Sequence, residues 1–304
     1  FLSACEHEGI PRNPDYNSRR QFGASYAQRT IDGRFRVSAA RAFLRPALGR
    51  ANLSLRTGAQ VLGLVFEGRR AVGVRLAADG GERVIRARRG VILCAGAVAS
   101  PQLLQVSGLG DPEHLGRLGV PVLAALPGVG RNLRDHFTPR FTVRVREAET
   151  FNERASGLAF LAELAKFAAG RESILSLQST ACYAFAKSLP HLEDSDLQIT
   201  FMPASYAEGH QSRLDHRPGM TVTAWQQRPE SRGTIRARSA DMRDKPEIRP
   251  EWLSAPEDRR VLLAGLRLVR RLLQAPPLAR HSAGEIWPGE AVESDAELLA
   301  AVKE

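Results

Sequence analysis

Cysteine is scarce in this chain: Cys5, Cys94 and Cys182 are the only three in 304 residues. They lie far apart, each among apolar neighbours, which argues against a disulfide framework or a cysteine-based zinc site. They read as small buried hydrophobes in a reducing compartment. Long apolar runs are missing as well. No stretch reaches the roughly 18 residues that span a bilayer, and the most hydrophobic helical segment, Leu158 to Ala169, is interrupted by Glu163 and Lys166. No secretory leader is visible, so a cytoplasmic location, or one peripheral to the inner membrane, is expected. Since the chain opens on Phe1 rather than Met, the native N-terminus is expected to lie upstream. Lysine is almost absent, occurring only at Lys166, Lys187, Lys245 and Lys303, and the formal charge of +10 is carried by arginine. Those arginines are scattered, often beside acids, with no basic block interleaved with aromatics. Nucleic acid is therefore not an expected partner. Gly-x-Ser-x-Gly is missing too, which removes the nucleophile elbow of an α/β-hydrolase. Of the seven histidines, the nearest pair is His210 and His216, six apart instead of the helical i,i+4 of a metal site.

What is present is ordinary for a folded protein, 43% hydrophobic and 25% charged, in a length that holds two domains. The stretch that organises the rest runs from Val91 to Gly110. Val91 to Ala95 is an apolar run too short for a helix, which predicts a strand buried on both faces of a parallel sheet. Gly96 then allows close backbone approach. Ser100 and Pro101 suit a helix start, and Gly108 its end. Ligands of open α/β sheets bind beyond the carboxyl ends of such strands, and a helix N-terminus there favours anionic groups.

Before this stretch, Phe1 to Gly9 reads as the end of a helix, Gly23 to Thr30 as a strand with a turn at Asp32-Gly33, and Ser38 to Leu48 as a helix. Alternation predicts strands at Asn52 to Arg56, Val61 to Phe66, Ala71 to Leu76 and Arg83 to Ala87, with turns at Glu67-Gly68 and Asp79-Gly80-Gly81. After it, Leu126-Pro127-Gly128-Val129-Gly130-Arg131-Asn132-Leu133 lacks the third glycine of Gly-x-Gly-x-x-Gly and is not a dinucleotide fingerprint. Asp135 and His136, adjacent and so facing opposite ways along a strand, read as a hinge and not as an acid/base pair. From Phe137 onward come alternating strands at Phe141 to Arg146, Leu197 to Phe201, Thr221 to Trp225 and Gly233 to Arg238. A helix is expected at Glu153 to Gly170 with Leu158, Leu161 and Ala165 on its buried stripe, and another after a capping box at Ser254 to Glu257, with Leu262, Leu266, Val269 and Leu273 on its core face. These strands predict an antiparallel sheet covered on one side.

The run Gly96-Ala97-Val98-Ala99-Ser100-Pro101-Gln102-Leu103-Leu104, closed by Ser107-Gly108-Leu109-Gly110, resembles the second signature of the glucose–methanol–choline (GMC) flavoprotein oxidoreductases. The Pro127 to His136 element, the Asp32 to Pro46 segment and the run from Ser231 to Leu253 are similar to the family as well, so the resemblance covers the chain from about Asn13 to its last residue. It implies a fold of α/β plus α+β type: a partial FAD/NAD(P)-binding, Rossmann-like domain with a β-meander, and a substrate domain with an antiparallel sheet flanked by helices. The expected divisions are 1–46 as a connecting segment, 47–136 as the partial FAD-binding domain and 137–304 as an incomplete substrate domain.

The resemblance further implies FAD as cofactor, a small-molecule alcohol as substrate and an electron acceptor that it does not define. Val61 would meet the adenine through its backbone, and the turn at Ala95 and Gly96 would lie near the adenosine end; as side chains alone, these residues serve equally as core and turn. The family's phosphate-binding Gly-x-Gly-x-x-Gly would precede Phe1 and its catalytic histidine would follow Glu304, so no catalytic residue is expected in this chain, nor any metal ligand. The chain reads as the central portion of an FAD-dependent alcohol oxidoreductase, choline- or alcohol-dehydrogenase-like. The alternatives are a flavin-containing lyase of the same family and a non-catalytic basic binding module.

Overall fold

The computed structural model describes residues 1–78, 81–207, 209–210 and 213–303, and the chain divides into two units. The first comprises Phe1–Ala47, His136–Pro229 and Ala255–Glu304, the second Leu48–Asp135 and Glu230–Ser254. The second unit thus takes its last 25 residues from within the 137–304 stretch that the sequence assigned to one domain. The reason is local: the strand Gly233–Arg236 pairs antiparallel with Glu247–Arg249 on one side and with Arg131–Leu133 on the other. Alternation alone cannot tell which sheet a strand will join.

In the second unit, Val61–Glu67, Arg70–Ala78 and Gly81–Arg86 form an antiparallel three-stranded meander in sequence order. Of the expected turn at Asp79-Gly80-Gly81, Asp79 and Gly80 lie outside the described residues. The expected strand at Asn52 to Arg56 is irregular and exposed, and no strand among the described residues pairs with it to take up its backbone groups. Val91 to Cys94 is likewise no strand. It is irregular, and Ile92 is 90% exposed. Its composition suits burial on both faces, but a parallel strand exists only between neighbours, and the described residues supply none.

The following helix spans Gly96–Val106, starting four residues before Ser100 and keeping Pro101 inside. Pro101 there lacks the N–H that would bond the carbonyl of Ala97, so the helix forgoes one hydrogen bond in its second turn. The helix closes at Ser107, with Gly108 at φ +87°. Beyond it, Leu109–Gly110 pairs in parallel with Ala124–Ala125 around the helix Pro112–Arg117, whose N-cap Asp111 accepts from the Glu113 N–H.

The first unit is built on a six-stranded antiparallel sheet in the order Gly23–Tyr26, Cys182–Ala186, Leu197–Met202, Gly219–Gln226, Arg140–Val145 and Ser282–Trp287. Its central strand carries an unbroken buried run from Gly219 to Ala224. The helix Pro256–Gln274 packs against that strand and Leu197–Met202. Its face of Val261, Leu262, Leu266, Leu268, Val269, Leu272 and Leu273 is buried, contributing on the order of 10 to 20 kcal/mol of transfer free energy as an upper bound. Its N-cap is Ala255 with Pro256 at the first helical position, in place of the expected Ser254 box.

The segment read as one helix from Glu153 is two, Phe151–Arg154 and Gly157–Ala168, the first closed by a capping box between Thr150 and Glu153. The second is inverted relative to expectation. Leu158 is 84% exposed and Leu161 58%, Ala165 is exposed too, and the buried residue is Glu163 at 2%. That carboxylate accepts from Arg154 Nη2 at 2.8 Å, Lys166 Nζ at 2.8 Å and the Ile174 N–H at 2.9 Å. The helix is therefore seated by a charge-assisted polar knot, where the apolar period had pointed to the opposite face. Of the cysteines, Cys5 and Cys182 are buried but Cys94 is exposed, on the same unpartnered run as Ile92.

Candidate functional site

Val61, Ala95 and Gly96 all fall in the second unit. The strand that Val61 opens is an edge strand of the meander, and its outer side is clipped to the helix Gly96–Val106 by Ser107. The Ser107 hydroxyl accepts from the Leu64 N–H at 2.9 Å and donates to the Leu103 carbonyl at 2.6 Å. Val61, Leu64 and Leu93 pack against one small core of Leu103, Val106 and Ala237. The structure thus sets the start of the Val61 strand and the segment leading into Gly96 against the same support. The Val61 side chain serves as core.

At the helix start, Ala95 is the N-cap and provides no side-chain hydrogen bond. The backbone N–H groups of the first three helical residues, Gly96, Ala97 and Val98, therefore have no partner within the helix. Gly96, Ala97 and Val98 are exposed. Gly96 adopts φ +81°, a conformation that favours glycine, and nothing lies within 4 Å of where a Cβ would stand. An uncapped, exposed helix start of this kind presents donors and the positive end of the helix dipole to an anionic or hydrogen-bond-accepting group. No side chain of the three sites carries acid, base or nucleophile chemistry. Among the described residues no group of three or more His, Cys, Asp or Glu is placed to hold a metal.

Sequence reasoning missed the device that holds this frame together. Gln105, 1% exposed, donates from Nε2 to the Ile235 carbonyl at 2.9 Å and accepts at Oε1 from the Ala237 N–H at 2.7 Å. Gln102 reaches the Asp244 carbonyl at 2.6 Å. Gly130 sits beside this contact at φ +79°; a Cβ there would lie 2.2 Å from Gln105 Nε2 and from the Ile235 oxygen. The signal was in the sequence, as two glutamines inside an otherwise apolar helix. The residues they answer are 130 positions further on. Nearby, Arg131 Nη2 lies 2.7 Å from Asp111 and holds that carboxyl below its usual range. Arg243 does the same for Asp241, bringing it to about 2.

Comparison with known proteins places these observations. Two family models, both described as GMC oxidoreductase, match residues 1–138 and 229–304. An oxygen-dependent choline dehydrogenase of Chromohalobacter salexigens is 36% identical over 100% of this chain and 54% of its own length. An alcohol dehydrogenase [acceptor] of Pseudomonas putida is 33% identical over 100% of the chain and 55% of its own. Among solved structures, pyridoxine 4-oxidase from Mesorbium loti superposes with a TM-score of 0.81 at 25% identity, covering 98% of this chain and 54% of that one. A formate oxidase of Aspergillus oryzae does so at 0.85 and 20% identity, over 99% and 57%, a likeness of fold. The chain spans about half the length of the curated relatives it matches. No helix among the described residues is long and apolar enough to cross a membrane.

Proposed function

The chain belongs to the GMC oxidoreductase family, whose cofactor is FAD, and from that premise we propose that it is the central portion of an FAD-dependent alcohol oxidoreductase. The observation that carries the reading is the uncapped, exposed start of the helix Gly96–Val106 beside the edge strand that begins at Val61. These residues fit the adenosine side of a dinucleotide: free backbone donors, open space at Gly96, and apolar support beneath. Val61, Ala95 and Gly96 would hold it through their backbones. FAD, when bound, supplies the hydride acceptor for a CH–OH donor.

The chain's own residues position and support; they do not transfer protons. The base that takes the alcohol proton, a histidine by family resemblance, is proposed to lie beyond Glu304, and the pyrophosphate loop before Phe1. The unit carrying the six-stranded sheet would then provide walls for a small alcohol. The names of the relatives favour choline or another alcohol as its class. The test is direct. The purified chain, mixed with FAD and desalted, is expected to lose the flavin absorbance and to show no bleaching by primary alcohols. Retention of one flavin per chain would overturn the partial-site reading. Bleaching of the flavin in the contiguous longer protein by a primary alcohol separates the oxidoreductase from a flavin-containing lyase.

A further inference from the structure

We propose that the first unit carries a binding pocket for a small aliphatic carboxylate, between the Arg29 to Arg36 segment and the loop from Leu175 to Gln178. The cavity there is about 220 Å³, room for roughly seven water-sized volumes at ~30 Å³ each. Three guanidinium-bearing residues line it, Arg29, Arg34 and Arg36, and no carboxylate does. Arg34 is committed: it donates to the Phe167 carbonyl and, at 2.9 Å, to that of Ala168, at the end of the helix Gly157–Ala168. Arg29 and Arg36 make no ion pair or side-chain hydrogen bond among the described residues. Both line the cavity from exposed positions, and no carboxylate lines it with them.

A second, independent feature points the same way. Gln178 lines the pocket, and its Nε2 is buried with no hydrogen-bond partner. A buried amide donor left unpaired costs free energy, and a small shift of the Gln178 amide toward the cavity would let an acceptor there recover it. Two uncommitted cations and one orphaned donor define an acceptor of negative charge. The rest of the wall combines Ile31, Leu175 and Leu177 with Thr30 and Ser176, and its three aliphatic side chains give a short hydrocarbon tail contacts that a bare inorganic anion would not use. A planar carboxylate also matches the fork of an arginine. The wider groove into which the pocket opens adds Arg171, Asp32 and Glu172, so the acidic groups stand outside the pocket itself. A quaternary ammonium ion would meet unpaired guanidiniums and is excluded from it by like charge. This inference concerns the first unit alone and does not depend on the redox reading.

Calorimetric titration of the 304-residue chain with hexanoate, hexanol, hexyltrimethylammonium and inorganic phosphate tests it. Hexanoate is expected to bind saturably at one site per chain, and the other three not to. The double variant Arg29→Gln/Arg36→Gln should weaken hexanoate at least tenfold, with partial recovery in Arg29→Lys/Arg36→Lys. Gln178→Leu should weaken it about threefold while leaving the thermal midpoint equal or higher, since it removes an unsatisfied donor. Circular dichroism checks that each variant keeps its fold. Absence of saturable hexanoate binding, equal binding by phosphate, or hexanoate binding indifferent to these substitutions would each overturn the proposal.

Discussion

Replacing Gln105 by leucine should open the second unit at one identifiable place. The side chain is 1% exposed and serves two backbone groups of another segment, the Ile235 carbonyl at 2.9 Å and the Ala237 N–H at 2.7 Å. Leucine nearly conserves volume, so the cost is that of two buried polar groups losing their partners, ~1 to 3 kcal/mol each and roughly 2 to 6 together. No water can replace the amide without displacing Ile235 or Gly130, whose Cα already approaches both atoms so closely that a Cβ would stand 2.2 Å from them. Urea unfolding followed by circular dichroism reads the loss of stability. Hydrogen exchange on a peptide containing Ala237 locates it, with a rise in exchange of roughly 30-fold or more, equivalent to at least about 2 kcal/mol. Gln102→Leu is the control, because its acceptor is the Asp244 carbonyl in a partly exposed turn, and about 1 kcal/mol is expected there. If Gln105→Leu lies within about 0.5 kcal/mol of the parent chain, with Ala237 still protected, the claim that this amide joins the helix to the strand Gly233–Arg236 is refuted.

Other consequences can be measured on the same material. The Glu163 carboxyl is held well below its usual 4.5, first by the hydrogen bond from Lys166 and then by that from Arg154. The unfolded chain therefore binds this proton at higher pH than the folded one, so stability from Glu163 is present above about 4.5 and drains away as pH falls toward the folded value. Glu163→Gln should be less stable than the parent near neutrality, with the difference narrowing in acid; a constant difference across that range would contradict the assignment. Burial raises the Cys5 thiol to about 12 and Cys182 to about 11, whereas Cys94 is exposed, so a thiol reagent should label one site in the native chain and three after denaturation. Labelling of none in the native state would show the Val91 to Cys94 run to be arranged otherwise, and labelling of all three would show Cys5 and Cys182 to be accessible. Ile92→Asp should shift the stability of this chain by no more than about 0.5 kcal/mol, as at other exposed positions, yet disrupt a longer polypeptide in which the run is flanked by strands. Destabilisation of the 304-residue chain by more than that would mean Ile92 is already packed.

The elements legible in the sequence are those whose signal is local or whose burial has a single period. The meander from Val61 to Arg86 is written in its alternation and turns, and the helix Pro256–Gln274 in the spacing of Leu262, Leu266, Val269 and Leu273. What was not legible depended on polar partners that the apolar period does not record, some nearby and some far along the chain. Leu158 and Leu161 form as regular a stripe as any, but the Gly157–Ala168 helix is oriented by Glu163, whose partners Arg154 and Ile174 are themselves fixed by separate turns. Periodicity weighs apolar residues and cannot price a carboxylate that finds three donors at once. The candidate cofactor site divides along the same line. Gly96 was readable, because left-handed backbone at a helix start leaves few residue choices. Val61 was not, because its side chain marks nothing beyond its place against the small core. Gln105 and Gly130 show the intermediate case: each stands in a motif that looks functional, and their observed work is to let one buried amide complete the backbone bonds of a strand. Motif residues can thus be fixed by the scaffold itself with no demand from a ligand, which is why the motifs holding Gln105 and Gly130 do not by themselves locate a site.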